Sequence, residues 1–192
     1  MMRSIKPLIP LTAVLFMMLV LGACASSTSP YLGGGERQRD PMMAQRLTQE
    51  AGDTSDAAEA EQLLRRALAA DLYHGPAHNN LGVLLLKRGE LYEAAHEFEW
   101  ARKLMPGHPD PRLNLGLVME RAGRVEEAIE AYESAREVYP GHMPAIQAIA
   151  RASLRYGLEH PSLEELLEQV SLRGTSYPWR EWARERRNSL PR

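Results

Sequence analysis

Residues 78–108 read HNNLGVLLLKRGELYEAAHEFEWARKLMPGH, and residues 112–142 read RLNLGLVMERAGRVEEAIEAYESAREVYPGH. The two align without a gap at a spacing of 34 residues. Leu81-Gly82 becomes Leu115-Gly116, Gly89 becomes Gly123, Ala94 becomes Ala128, Phe98 becomes Tyr132 and Ala101 becomes Ala135. The connector Pro106-Gly107-His108 returns as Pro140-Gly141-His142. A fixed period of this length marks one supersecondary unit repeated in tandem. Each unit reads as two helices. Gly82, Ala94 and Ala101 are small where helices must approach closely, while Leu81, Leu85 and Phe98 fill the space between them. Gly89 lets the chain reverse between the helices, and Pro106 ends the second one.

The Leu-Gly pair, the Ala-x-x-x-aromatic element and the Pro resemble the tetratricopeptide repeat. The Trp that this family carries three residues before the Leu is absent here; His78 and Arg112 stand in its place. The resemblance implies an all-α fold, a right-handed superhelical solenoid of helix-turn-helix hairpins. Extending the period outward gives degenerate copies. Residues 41–74 align Leu47, Ala60, Leu64 and Ala67, with Thr48 in place of the Gly. Residues 143–176 align Ile149, Ala150, Gly157 and Leu166, with Gln169 where Ala101 and Ala135 stood. Terminal repeats depart from pattern because one of their faces meets water. The expected units are therefore 41–74, 75–108, 109–142 and 143–176, two clear and two degenerate. A capping helix and basic tail follow at 177–192. Helices are expected at about 41–52, 55–70, 76–88, 91–104, 110–122, 125–138, 144–157, 161–172 and 178–188, with Ser176 as a candidate cap for the last.

The 192 residues are 44% hydrophobic and 25% charged, which excludes global disorder. Aromatic residues make up 6%, and alternating β-branched runs are absent, which argues against a β-sandwich or barrel. The single cysteine rules out an internal disulfide and leaves too few thiolates for a zinc or iron–sulfur centre.

That cysteine has a telling position. Arg3 and Lys6 precede an apolar run from Leu8 to Leu21, and no acid lies in residues 1–23. A 14-residue run rising 1.5 Å per residue covers only ~21 Å of a ~30 Å hydrocarbon core, too short for a comfortable span and suited to a signal-peptide core. Leu21-Gly22-Ala23-Cys24 then resembles the bacterial lipobox. The resemblance implies cleavage before Cys24, a diacylglycerol thioether on its sulfur, and N-acylation. Two or three acyl chains anchor firmly where one does not. Ser26-Ser27-Thr28-Ser29-Pro30 and Gly33-Gly34-Gly35 read as a flexible tether over 24–40. Ala25, rather than Asp, implies by resemblance to enterobacterial lipoproteins an outer-membrane location facing the periplasm.

Catalytic and metal chemistry find little footing. His74, His108 and His142 recur at one inter-repeat turn, too far apart to share an ion at ~2.1 Å bonds. His96-Glu97 lacks the second histidine of a zinc-protease helix. Gly33-Gly34-Gly35 has no lysine and no preceding strand, so it is no phosphate loop. The expectation is a non-enzyme with no cofactor, no metal, no nucleic acid and no small-molecule substrate.

By resemblance, the first helix of each repeat lines a concave groove that binds extended peptides or partner helices. Carried over position by position, the groove residues are Asn79, Asn80, Val83, Leu86, Lys87, Leu113, Asn114, Leu117, Arg121, Gln147, Arg151 and Arg155. Its middle is apolar, through Val83, Leu86, Leu113 and Leu117. The column Asp53, Lys87, Arg121, Arg155 turns basic toward the C-terminus. An apolar partner segment followed by acidic residues fits that pattern; dipole complementation at helix C-termini is the structural alternative. Gln45, Gln49 and Asp110 stand where the chaperone-binding members carry Lys, Asn and Lys, so that specificity is not carried over. Residues 173–192 hold six Arg against Glu181 and Glu185, whereas Cys24–Leu172 carries 15 basic and 23 acidic residues. This Arg- and Trp-rich end reads as a cap or as a contact with anionic lipid or an acidic protein. The function expected is a membrane-anchored scaffold aiding assembly of a pilus, secretion or outer-membrane complex. The alternatives are a subunit tethering a cell-wall enzyme and a self-assembling structural protein.

Overall fold

The computed structural model describes residues 39–190. The signal segment, Cys24 and nearly all of the tether lie outside the described residues, as do residues 191–192. Among the described residues the chain forms nine α-helices and no strand. They are α1 (Pro41–Asp53), α2 (Ala57–Ala70), α3 (Gly75–Arg88), α4 (Leu91–Leu104), α5 (Asp110–Arg121), α6 (Val125–Val138), α7 (Met143–Tyr156), α8 (Leu163–Arg173) and α9 (Tyr177–Asn188). Consecutive helices pair into antiparallel hairpins, and each hairpin packs on the next. This is the solenoid that the 34-residue period requires. No helix among these is long and apolar enough to cross a membrane.

The helix ends follow from local chemistry. Every first helix of a hairpin, and the final α9, carries Pro in its first two positions, where the missing N–H has no intrahelical partner to lose. Gly89, Gly123 and Gly157 hold φ of 82°, 77° and 67° between the two helices of their hairpins, a left-handed conformation that a Cβ resists. The first hairpin has no such glycine. It starts α2 with Asp56, whose carboxylate accepts the Ala58 N–H at 2.8 Å. At α9 the expected cap fails: the Ser176 side chain makes no capping hydrogen bond. The entry to α9 is held instead by Arg180, which donates to the Gly174 carbonyl at 2.9 Å.

Within each hairpin one contact sets the spacing of the pair. A Cβ on Gly82 would stand 2.7 Å from the Phe98 ring, and one on Gly116 would stand 2.2 Å from the Tyr132 ring. The glycines are the floor on which the rings lie. In the flanking repeats both partners change together. Leu64 replaces the ring and Thr48 the glycine in the first; Leu166 and Ala150 do so in the fourth. A smaller apolar side chain leaves room for a larger neighbour, so summed volume is conserved and close packing survives. Thr48, being buried, also returns its hydroxyl to the Ala44 carbonyl at 2.8 Å. The copies that look decayed are thus compensated.

The fourth hairpin and α9 share a core of Met143, Ile146, Ile149, Leu166, Leu167, Val170 and Ala183. Trp179 and Trp182 pack against it as an edge-to-face pair, centroids 5.2 Å apart. The aromatic pair covers apolar surface that a further hairpin would otherwise bury, as expected of a terminal cap.

Candidate functional site

The first helices α3, α5 and α7 lie side by side, and their facing side chains form the candidate groove. Its central strip is Val83, Leu113 and Leu117, all half-buried. A residue of this kind is held by neighbours below yet keeps apolar surface open above, which suits a docking floor. Leu86 is buried and supports the strip from beneath. Asn79, Asn80 and Asn114 border it, half-buried. They also bond to one another: the Asn114 amide donates to Asn79 Oδ1 at 3.0 Å, tying α5 to α3. A ligand backbone would meet an asparagine ladder already partly organised, with lone pairs and amide hydrogens to spare.

The polar end of the groove differs from the expectation. Gln147 is buried, and its amide exchanges hydrogen bonds of 3.2 Å with the Thr175 hydroxyl. It fastens the loop before α9 and is not presented to a ligand. Arg121 is exposed, and its guanidinium donates to the Leu86 carbonyl at 2.6 Å. That carbonyl belongs to the last turn of α3, so Arg121 complements a helix C-terminus, the structural alternative for this column. Lys87 and Arg155 are exposed. The Arg155 guanidinium lies 5.5 Å from the centroid of the Tyr156 ring.

Arg151 is drawn out of the expected ligand set by Glu120. Its two terminal nitrogens reach Glu120 Oε1 and Oε2 at 2.9 and 2.7 Å, a bidentate pair. The Tyr132 hydroxyl donates to the same carboxylate at 2.8 Å. Burial works against the charge on Glu120, but Arg151 and Tyr132 outweigh it and hold the carboxyl below its ordinary value. Burial, reinforced by that carboxylate, pushes the Tyr132 phenol well above its own. This network joins α5, α6 and α7. Sequence reading passed over Glu120 because an acid near a helix end ordinarily faces water. The signal was there in the simultaneous arrival of Glu120, Tyr132 and Arg151 at positions that one repeat earlier hold Leu86, Phe98 and Leu117.

A second buried pair explains the missing Trp. His78 Nδ1 lies 2.6 Å from Glu97 Oε2, its Nε2 lies 2.8 Å from the Leu72 carbonyl, and the ring stacks on Trp100 at 5.6 Å. Both ring nitrogens thus have an oxygen partner. The aromatic bulk expected from the family Trp is supplied by the stacked imidazole and indole. The turn histidines are also engaged, with His142 Nε2 3.2 Å from Asp110 Oδ1. Among the described residues no three His, Cys, Asp or Glu gather as a metal site.

Comparison with known proteins adds family and fold. The tetratricopeptide repeat profile matches residues 47–99 and 79–142, which together span 47–142, half of the chain. Solved structures share the architecture. MamA is 23% identical over 79% of this chain and 84% of its own, with a TM-score of 0.57. The first TPR domain of Spaghetti (RPAP3), solved with an HSP90 peptide, is 18% identical over 62% of this chain and 97% of its own, with a TM-score of 0.58. An O-GlcNAc transferase of Thermobaculum terrenum is 27% identical over 70% of this chain, with a TM-score of 0.62, but only 27% of that longer chain is covered. A search of curated proteins gives no match. The period, the hairpin geometry, the glycine–ring contacts and the family match agree, and the chain belongs to the tetratricopeptide repeat family.

Proposed function

We propose that the chain is a non-catalytic scaffold that binds a polypeptide segment, extended or helical, along the inner faces of α3 and α5. The observation that carries this reading is the half-buried strip Val83, Leu113 and Leu117, bordered by Asn79, Asn80 and Asn114. Apolar side chains of the partner supply affinity there, and the asparagine amides orient its backbone. The neighbouring RPAP3 domain, solved with a peptide, supports the reading by analogy of fold. The anchor belongs to the same proposal. A lipid on Cys24 keeps the groove at an outer membrane facing the periplasm and raises its effective concentration toward envelope partners such as pilus, secretion or outer-membrane assemblies.

A photocrosslinking residue in place of Val83 tests the groove, with the same residue in place of Tyr92, 82% exposed on α4, as control. Discrete adducts are expected from position 83 and not from position 92. Equal labelling from both positions, or none from either, overturns the groove. The anchor is read separately. The mature N-terminus should be an acylated Cys24 by mass spectrometry, and Cys24→Ser should leave the membrane fraction.

A further inference from the structure

The groove has a closed end, and its chemistry changes there. Val83 on α3, Leu117 on α5 and Arg151 on α7 occupy one column at successive 34-residue steps. The floor therefore runs from apolar to polar, ending at the Arg151–Glu120 ion pair. Beyond Arg151 stands α9, and between α7 and α9 lies a cleft of about 480 Å³. Leu154 and Trp182 give it apolar walls, while Arg151, Arg155 and Arg186 give it charge. Among the described residues no carboxylate lines it. Arg151 is already neutralised by Glu120. Arg155 and Arg186 form no salt bridge among the described residues, although Arg155 lies near enough to Glu120 for its charge to be felt there, whereas the adjacent Arg187 reaches across to Glu168 at 3.4 Å.

We propose that this cleft receives the acidic end of the segment bound in the groove, with Arg155 and Arg186 as its anion partners and Trp182 as the wall against its last apolar side chain. The proposal rests on the groove reading above and adds the chemistry and direction of the ligand. Its size suits one or two side chains. Guanidinium groups favour carboxylates by two parallel hydrogen bonds, and low-dielectric walls such as Trp182 strengthen them. The surrounding body is acidic, with 23 acidic against 15 basic residues over Cys24–Leu172, so an acidic segment is repelled elsewhere and directed to this cleft. A flat anionic lipid surface fits less well. Exposed Glu181 and Glu185 interrupt the exposed arginines of α9, and a bilayer of like charge disfavours those two acids.

The test uses the full chain and two labelled octapeptides followed by fluorescence anisotropy. One has six Leu and Ala residues followed by Asp-Glu with a free C-terminal carboxylate; the other ends in Asn-Gln amide. The acidic peptide is expected to bind about 10-fold or more tighter, an advantage that falls with added salt. The double variant Arg155→Glu with Arg186→Glu should erase the advantage and leave the neutral peptide bound as before. Both side chains are exposed, so the fold should survive, and Arg155→Lys with Arg186→Lys should restore at least part of the preference. Equal binding of both peptides, unaffected by the charge reversal, overturns the cleft while the groove stands. Absence of binding by either peptide overturns both readings. Retention by phosphatidylglycerol vesicles that charge reversal abolishes, with no preference between peptides, overturns the peptide assignment in favour of lipid.

Discussion

The second and third repeats, 75–108 and 109–142, share their spacing and their rings but keep their buried charge in different places. In the second, the equivalent positions hold the apolar Leu86, Phe98 and Leu117, and the buried acid is Glu97, beside His78 and Trp100. In the third, Glu120, Tyr132 and Arg151 form a charged contact where the leucines were, while Arg112, Ala131 and Ser134 replace the histidine cluster. Arg112 there donates to Ser134 at 3.2 Å, a half-exposed link in place of a buried one. One backbone geometry thus tolerates two polar solutions, provided that every member of a set changes with its partners. A buried carboxylate is acceptable only where a donor is already aimed at it.

That comparison can be broken most severely at His78. His78→Ala takes the imidazole from a buried carboxylate and removes the face on which Trp100 stacks. It should cost about 3–5 kcal/mol, the usual loss when a buried pair is broken. Arg112→Ala, its counterpart, should cost below about 1 kcal/mol because water can replace its contacts. Denaturant unfolding of the two variants measures the difference, and equal losses would mean that the buried pair carries no special weight.

Next come the two glycine floors. Gly116→Ala and Gly82→Ala both push a methyl group into a ring, with overpacking costs of about 1–3 kcal/mol. The third repeat should suffer more. Its clash is tighter, and the Tyr132 ring is pinned by its hydroxyl to Glu120 and cannot slide as Phe98 can. Thermal melts of the pair decide it; a larger loss at Gly82 would contradict the pinning.

A smaller effect is expected from exchanging the contacts themselves. Glu120→Leu alone should cost about 1–3 kcal/mol, less than for a fully buried pair, because the Arg151 side chain is 30% exposed and can turn to water. Adding Tyr132→Phe and Arg151→Leu restores the pattern of the second repeat and should recover most of that loss. Failure of the triple variant to recover would show that the backbone of the third repeat is adapted to the charged set.

The smallest effect is on acid stability. Arg39 holds Asp71 below its ordinary value, and Glu120 is held low despite its burial. A depressed carboxyl stabilises the fold above its unfolded value, near pH 4, and the contribution disappears as pH falls through the lower folded value. Melting temperature should therefore be level from neutral pH to about 5 and decline below about 4. The triple variant should decline less steeply.

How far these features are legible in sequence differs by kind. Helix boundaries are read to within about two residues, because Pro and Gly act on their own backbone and need no knowledge of what packs nearby. Ser176 shows the same reason in reverse: a cap-forming residue type says nothing about whether its hydroxyl points at the helix end, and here it makes no capping bond. The half-buried, adjacent placement of Val83, Leu113 and Leu117 follows from the repeat alignment, whereas Leu86, expected beside them, is buried. The placement of the polar groove residues does not follow from it. Arg121, Arg151 and Gln147 each have a partner 28 to 35 residues away, at Leu86, Glu120 and Thr175.

By itself the sequence determined the tandem helical hairpins, their register and the small-against-large pairing that spaces them, because a 34-residue period repeats the same local signals and the same buried volumes. Tertiary structure alone decided which cations are paired, as Arg151 is with Glu120, and which form no salt bridge, as with Arg155 and Arg186 among the described residues. A charge takes its partner from whatever the fold brings within a few ångströms, and that distance is a property of packed helices rather than of any one of them.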